Sequence, residues 1–187
     1  MTGLVSKFIL KIFGWRITRG LPEGLEKCVL IVAPHTSNYD FIIGRLAFYA
    51  LGVKVKFLIK KEVFRYGGSL IFKPLGGIPV DRSKSNHMVS YIAEQFKKKN
   101  KLCVIITPEG RRSLNTRWRK GFYYIALKSD VPIALGVLDY KYKTAGIEEV
   151  LYPGGDFEKD FAFIEEFYRG RNARFPENYN LSDMDMK

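Results

Sequence analysis

The chain contains several short, continuous runs of apolar and β-branched residues, a pattern that favours strands buried on both faces of a sheet. The clearest runs are Lys27–Ala33, Leu102–Thr107 and Val131–Asp139. Helical periodicity fills intervals between them, at Tyr39–Leu51 and from Ser83 to about Lys99. This alternation predicts a single α/β domain with a largely parallel mixed sheet flanked by helices. A chain of 187 residues is long enough to bury the core of one such domain.

Weaker patterns complete the predicted order of elements. Residues 61–77 form a short stretch broken by glycines, and residues 171–187 are interpreted as a polar C-terminal tail of the same domain, 1–187. The remaining predicted elements are a strand at Lys54–Lys60, a brief strand at Gly77–Val80, a helix at Arg117–Ser129, a last strand at Glu149–Tyr152 and an acidic amphipathic helix at Phe157–Arg169.

The N-terminal residues 1–20 predict an amphipathic helix. Apolar residues recur at helical spacing, with Lys7 and Lys11 opposite them and Trp15 following. The apolar residues are Leu4, Val5, Phe8, Ile9, Ile12 and Phe13. Such a helix either lies in a lipid headgroup layer or docks on the protein's own core. The sequence contains no run of about 18 or more apolar residues, so no transmembrane helix is expected. Lys7 and Lys11 interrupt the apolar residues of this segment, which argues against a signal peptide.

The charge distribution favours a polyanionic partner. The net charge is +12, and residues 147–187 hold 10 acidic and 5 basic side chains, so the first 146 residues carry a net charge of +17. Such a field attracts either nucleic acid or an anionic bilayer. The sequence contains no zinc finger, RNP-type motif or clear helix-turn-helix. Cys28 and Cys103 lie in apolar runs and are interpreted as buried core thiols, which fit a reducing compartment and no metal site.

A candidate proton acceptor follows the first buried strand, in the segment PHTSNYD. His35 is the side chain type best suited to accept a proton near neutral pH. Asp40, five positions on, can reach the far ring nitrogen, fix its tautomer and stabilise the imidazolium. Because no serine or cysteine is placed as an obvious nucleophile, the base would act on a substrate hydroxyl. The alternative is that Asp40 caps the following helix and His35 is a loop residue.

Two further segments with side chains that could bind an anion also follow predicted strands. In GGIPVDRS, Arg82 presents a guanidinium suited to a phosphate, although an Asp81–Arg82 turn pair explains it equally well. The loop TPEGRRS is a candidate anion site. Its motif residues are Glu109, Gly110, Arg111 and Arg112, and Arg117, Arg119 and Lys120 follow. Because sites in parallel sheets gather at the carboxyl ends of the strands, we expect all three segments to converge.

Taken in order, these segments resemble the blocks of the glycerolipid acyltransferase family, the 1-acylglycerol-3-phosphate acyltransferase type, over roughly residues 25–140. The NHxxxxD-like first block is matched by PHTSNYD, and the arginine of the second block by Arg82 in GIPVDR. The third block, usually EGTRS, is matched by EGRRS at residues 109–113, and the fourth, an apolar strand beginning at a proline, by Val131-Pro132-Ile133.

The resemblance implies a glycerol-3-phosphate acyltransferase-like fold and an acyl transfer reaction. His35, oriented by Asp40, would deprotonate the hydroxyl of a lysophospholipid such as 1-acylglycerol-3-phosphate, in phospholipid biosynthesis. The oxygen would attack the thioester of acyl-CoA or acyl-acyl carrier protein, a co-substrate, so no cofactor is expected. Arg82 and Arg112 would hold the acceptor phosphate, within a motif that includes Glu109. The implied location is peripheral, on an anionic membrane surface at the cytoplasmic face, with no nucleic-acid partner.

The sequence departs from the family pattern in ways that bear on the acceptor. Arg111 stands where the family usually has threonine, and Pro34 where it has asparagine. The chain is shorter than many members and lacks their long N-terminal two-helix anchor. A different lysolipid acceptor is therefore an alternative, as is a basic nucleic-acid-binding α/β protein. A hydrolase would need a GxSxG elbow, which Gly68-Ser69-Leu70 does not supply. A non-catalytic lipid-binding relative is the last alternative, and His87 is interpreted as an ordinary helical histidine.

Overall fold

The computed structural model describes residues 2–81 and 85–181, without the side chains of Tyr66 and of residues 85–87. The strands are β1 (Arg16–Ile17), β2 (Lys27–Ala33), β3 (Val55–Lys60), β4 (Gly77–Val80), β5 (Leu102–Ile106), β6 (Ile133–Asp139) and β7 (Thr144–Leu151). The α-helices are α1 (Thr2–Ile12), α2 (Tyr39–Leu51), α3 (Lys61–Val63), α4 (Ser69–Phe72), α5 (Ser85–Lys98), α6 (Gly121–Ser129) and α7 (Phe157–Tyr168). A π-helical turn, Phe64–Gly68, joins α3 to α4, and Pro176–Asn178 form a 3₁₀ turn.

The seven strands form one sheet in the order β1-β7-β6-β2-β5-β3-β4. In the described part of the chain, the β6–β7 pair is antiparallel and the other neighbouring pairs are parallel. This confirms the predicted α/β domain with a largely parallel mixed sheet. Strands β2 and β5 are neighbours in the centre, so the loops after them leave the sheet side by side.

Alternate residues of each central strand feed two separate cores. On β2, Val29 and Ile31 face a core shared with α5, α6 and α7, whereas Cys28 and Leu30 face a core shared with α1 and α2. This two-residue period is the geometry of any strand, and it places helices on both faces of the sheet. Cys28 and Cys103 are buried free cysteines, as the sequence predicted, and their sulfurs lie 3.2 Å apart across β2 and β5.

The N-terminal helix docks one face on the protein and exposes several of its large apolar residues. Ser6 and Leu10 of α1 are buried, and a Cβ on Gly3 would lie only 2.9 Å from the carbonyl oxygen of Tyr49, so glycine permits close packing on α2. Leu4 is 76% exposed and Phe8 65% exposed. Docking on the protein's own core, one of the two alternatives from the sequence, is therefore present, and the exposed apolar residues of α1 leave the lipid alternative as a prediction.

Several elements differ from the sequence expectations, and the N-terminal helix expected within residues 1–20 ends at Ile12. Helix α6 begins at Gly121 rather than Arg117 because Trp118 is buried in the core and the Arg119 N–H donates to the Pro108 carbonyl, which keeps this stretch a loop. Strand β7 begins at Thr144 and not at Glu149, because it forms a hairpin with β6. The two-residue strand β1 was not predicted, since so short a strand has no recognisable period.

The described part of the segment after α7 packs against the rest of the domain and is not a separate polar tail. Ala173 is buried, the indole N–H of Trp118 donates to the Asn180 carbonyl, and Tyr179 packs against the core. The sequence pattern missed this because single aromatic residues among polar ones do not form a period. Residues 182–187 lie outside the described part of the chain.

Candidate active site

The loop between β2 and α2 is organised by one carboxylate. Asp40 lies in the first turn of α2, is buried, and its Oδ2 accepts the backbone N–H groups of Thr36 at 2.9 Å and Ser37 at 2.8 Å. A negative charge is favoured there because the N-terminus of a helix carries the positive end of its dipole. Asp40 therefore stabilises the start of α2 and the loop before it, which is the structural role that the sequence left open.

The same carboxylate also contacts the imidazole of His35. His35 Nδ1 lies 3.2 Å from Asp40 Oδ2, and the His35 side chain is 16% exposed. A hydrogen bond from Nδ1 to a carboxylate leaves Nε2 as the nitrogen that accepts a proton. Asp40 thus serves the loop and the histidine together, and the two interpretations of Asp40 do not exclude each other.

Hydrogen bonds keep Asp40 ionised in a buried position. Burial by itself would raise the pKa of Asp40, but hydrogen bonds from His35, Tyr140 and the Ser37 backbone outweigh it and lower that pKa below its usual value. The Tyr140 hydroxyl donates to Asp40 Oδ1 at 2.5 Å. Burial and the Asp40 charge raise the pKa of Tyr140, so its hydroxyl stays protonated and remains a donor.

Glu109 joins the loop after β5 to the histidine loop. Its Oε1 accepts the backbone N–H of His35 at 2.9 Å, which confirms that the segments after β2 and β5 converge. Glu109 is buried, and burial, together with the nearby Asp40 charge, raises its pKa to about 8. The Glu109 carboxyl is therefore mostly protonated at neutral pH and adds little negative charge beside Asp40.

The loop after β5 needs a glycine at its apex. Gly110 has φ of +73°, in the left-handed region, and a Cβ there would lie 2.6 Å from Arg119 Nε. The Asn115 side chain donates to the carbonyls of Glu109 and Arg117, and the Arg119 N–H donates to Pro108. These hydrogen bonds fold the loop back on itself and place the Arg119 side chain next to Gly110.

The two neighbouring arginines of this loop have different surroundings. Arg111 donates to the carbonyl of Leu114 at 2.7 Å, whereas Arg112 lines the cavity that also contains His35 and Asp40. Gly110, Arg119 and Lys120 line the same cavity. Arg82 and Ser83 lie outside the described residues, as does the side chain of His87, although β4 ends beside β3 at the same edge of the sheet.

The cavity itself is large and mostly apolar. Its volume is about 990 Å³, and its lining includes His35 and residues of α2, α6 and the strands β2, β3 and β6. This size is at the upper end of typical small-molecule sites. Its apolar lining includes Phe41, Phe48, Phe57, Ile105, Phe122 and Leu138. The arrangement combines a candidate proton acceptor, a mostly apolar lining and five basic residues, Arg45, Lys60, Arg112, Arg119 and Lys120.

Two features of the site were missed by sequence reasoning. Tyr140 was not singled out, because a tyrosine just after a buried strand looks like an ordinary strand-end residue. Arg119 was noted only as one of several basic residues, and nothing local in the sequence tells that its guanidinium covers Gly110. The Tyr140–Asp40 contact joins residues 100 positions apart, and the Arg119–Gly110 contact depends on how the loop folds back on itself.

Comparison with solved structures supports the fold. The structure is similar to that of the 1-acyl-sn-glycerophosphate acyltransferase PlsC from Thermotoga maritima, with a TM-score of 0.61 over 91% of this chain and 77% of that chain. The sequences are 19% identical, so this likeness concerns the fold alone. No curated protein sequence matches the chain.

A sequence model of the Acyltransferase family matches residues 16–134. That range runs from β1 into β6, and it includes the His35–Asp40 loop and the Glu109–Arg112 loop. The match covers well over half of the 187 residues, and it includes β1 to β5 and the first two residues of β6. This chain belongs to the Acyltransferase family.

Proposed function

We propose that this acyltransferase moves a fatty acyl group from a thioester, acyl-CoA or acyl-acyl carrier protein, onto the hydroxyl of a lysophospholipid. The observation that carries the proposal is one cavity that is lined by the His35–Asp40 pair, by mostly apolar residues and by cationic side chains. A lysophospholipid has matching parts, a hydroxyl near an anionic phosphate and a long hydrocarbon chain. The proposed role is a step of phospholipid biosynthesis.

The proposed reaction follows from the position of each group. His35 Nε2 accepts the proton of the acceptor hydroxyl while Nδ1 stays bonded to Asp40, whose charge stabilises the imidazolium. The oxygen attacks the thioester carbonyl, and the tetrahedral intermediate then expels the thiolate. The thiolate takes the proton from the imidazolium, so an ester and a free thiol are formed and His35 returns to its starting state.

The cavity supports the same substrates. Its apolar interior suits an acyl chain, because burying hydrocarbon there removes it from water. Arg112, Arg119 and Lys120 in its lining suit the phosphate of the acceptor, and Arg82 is proposed as a further phosphate ligand from the family pattern. Binding both partners next to His35 supplies much of the rate gain by fixing their orientation.

The direct test is an acyl transfer assay on a panel of lysolipids that differ in headgroup and in the presence of a phosphate, with products identified by mass spectrometry. We expect acylated product from phosphorylated acceptors with a thioester donor, and none without the protein. If no member of the panel is acylated by folded protein from either donor, the proposed activity is wrong.

Arg112 and Arg111 provide a matched pair for testing phosphate recognition. Arg112→Ala is expected to raise the apparent KM for a phosphorylated acceptor about 10-fold or more, because it removes from the cavity lining a guanidinium that can form a charge-assisted contact with the phosphate. Arg111→Ala should change that KM by less than about 2-fold, since Arg111 donates to the Leu114 carbonyl instead.

Steady-state kinetics with a phosphorylated acceptor and its dephosphorylated analogue test whether Arg112 acts through the phosphate. The loss in Arg112→Ala should be confined to the phosphorylated acceptor. Equal losses for both acceptors, or an effect of Arg111→Ala as large as that of Arg112→Ala, would contradict this assignment of the arginines.

We further propose that the protein binds peripherally to an anionic membrane surface through α1. The apolar side chains of Leu4, Phe8 and Ile12 are exposed on α1, with Lys7 and Lys11 beside them, and a basic amphipathic helix of this kind favours the headgroup region. Among the described residues, no helix has the length and apolar character needed to span a bilayer.

Replacing Leu4, Phe8 and Ile12 together by serine is expected to lower the vesicle-bound fraction at least 5-fold, because it removes the exposed apolar face of α1. Co-sedimentation with vesicles containing anionic lipid measures the change. The control is a triple serine variant of Leu127, Tyr152 and Phe163, which are exposed apolar residues on other elements. Tighter binding to duplex DNA than to vesicles at moderate salt would instead favour the nucleic-acid alternative.

A further inference from the structure

The two oxygens of the Asp40 carboxylate have separate partners. Oδ2 faces His35 Nδ1 and accepts the N–H groups of Thr36 and Ser37. Oδ1 accepts the hydroxyl of Tyr140, which approaches from the loop after β6, 100 positions along the chain. The carboxylate is thus held from two sides, by its own loop at one oxygen and by Tyr140 at the other.

This arrangement matters because the terminal torsion of an aspartate is soft. Rotation about χ2 of aspartate has a broad, roughly two-fold profile, so the side chain alone does not fix which way its oxygens point. A donor on Oδ1 resists that rotation and keeps Oδ2 toward the imidazole. We propose that Tyr140 is a positioning residue for the His35–Asp40 pair, acting through Asp40.

Tyr140 is itself fixed by contacts from both ends of the chain. Its ring makes an edge contact with Trp15 at a centroid distance of 5.1 Å, and its backbone N–H donates to the Asn172 carbonyl at 2.9 Å. Asn172 also bonds through its side chain to Asp139, at 2.9 Å, next to Tyr140 in sequence. The hydroxyl of Tyr140 therefore has little freedom to leave Asp40.

Residues after Asn172 also contact Tyr140 and the segment that contains Asp40. The Arg174 guanidinium stacks 3.9 Å from the ring centroid of Tyr39 and interacts with the Tyr140 hydroxyl. The backbone N–H of Phe175 donates to Thr36 Oγ1 at 3.2 Å. Tyr140, Asn172 and Arg174 all lie beyond residue 134, where the family match ends, so the inference concerns a part of the chain that the family match does not cover.

Tyr140→Phe keeps the ring and removes only the hydroxyl. Provided that the proposed His–Asp chemistry is correct, kcat should fall about 10-fold, the usual size of a hydrogen bond to a charged group, with KM for both substrates changed less than 2-fold. The matched control is Tyr142→Phe, two positions on, whose side chain is exposed. The control should retain the kcat of the unmodified protein.

A double-mutant cycle distinguishes positioning through Asp40 from a structural role. Asp40→Ala removes the carboxylate that Tyr140 would orient, so adding Tyr140→Phe to that variant should lower kcat by less than 2-fold. All four proteins are compared at a temperature at which circular dichroism shows each to be folded. The expected result is non-additivity, with a Tyr140 effect that depends on the presence of Asp40.

Two results would overturn the inference. One is an unchanged kcat in Tyr140→Phe, and the other is the same 10-fold loss with and without the Asp40 carboxylate. Neither is confused with failure of the proposed function, which His35→Ala tests separately. If His35→Ala abolishes turnover while Tyr140→Phe does not affect it, the reaction assignment stands and the role of Tyr140 is rejected.

Discussion

Replacing His35 by alanine is expected to lower kcat at least ~100-fold, because no other group at this position can take the proton of the acceptor hydroxyl. The fold should remain intact. The His35 side chain lies at a cavity wall and is not part of either core, and its backbone N–H would still donate to Glu109. The thermal midpoint of His35→Ala should therefore stay close to that of the unmodified protein.

The chain offers one matched control, since it contains two histidines. His87→Ala makes the same chemical change at the other histidine and should leave kcat unchanged. Single-turnover assays with a thioester donor and an acylatable lysolipid measure both variants. If folded His35→Ala retains more than about a tenth of the activity, general-base catalysis by His35 is wrong, and the non-catalytic relative considered from the sequence gains support.

Asp40→Asn is expected to lower kcat about 100-fold with a small effect on substrate binding. The asparagine keeps the shape of the side chain and can still accept the N–H groups of Thr36 and Ser37. It lacks the negative charge that stabilises the imidazolium formed when His35 accepts a proton. The loss should therefore fall on kcat and not on KM.

Asp130→Asn is a suitable control, because Asp130 is an exposed residue with φ of 51°, a conformation that asparagine adopts as readily as aspartate. It should keep full activity. Asp40→Asn with unchanged kcat would show that Asp40 serves only the helix and the loop, the alternative that the sequence left open.

The pH dependence of stability gives an independent readout of Asp40. Folding lowers the pKa of this carboxyl, so Asp40 stabilises the folded state above its unfolded pKa of about 4, and that contribution is lost as pH falls through the folded value. The stability difference between the unmodified protein and Asp40→Asn should therefore shrink as pH is lowered from 6 toward 3. A difference that stays constant over this range would contradict the lowered pKa.

Local patterns in the sequence identified most of the central elements correctly. The predicted bounds of β2, α2 and β4 agree with the structure, because each is a compact run with its own period and clear ends, such as Gly52 in the left-handed conformation after α2. The His35–Asp40 contact was also within reach of the sequence, since its two residues lie on one loop and the first turn of one helix. Parallel strand order then made the meeting of the β2 and β5 loops foreseeable.

The contacts that complete the site depend on tertiary structure. Glu109 meets the His35 N–H from 74 positions away, and Tyr140 meets Asp40 from 100 positions away. Burial inside the assembled sheet raises the pKa of Glu109 and keeps the Tyr140 hydroxyl protonated. The sequence by itself determined the alternation of elements and the residues able to do chemistry, because backbone periodicity and side-chain type are local properties. Which groups touch, and in what protonation state, was decided only when packing removed water from them.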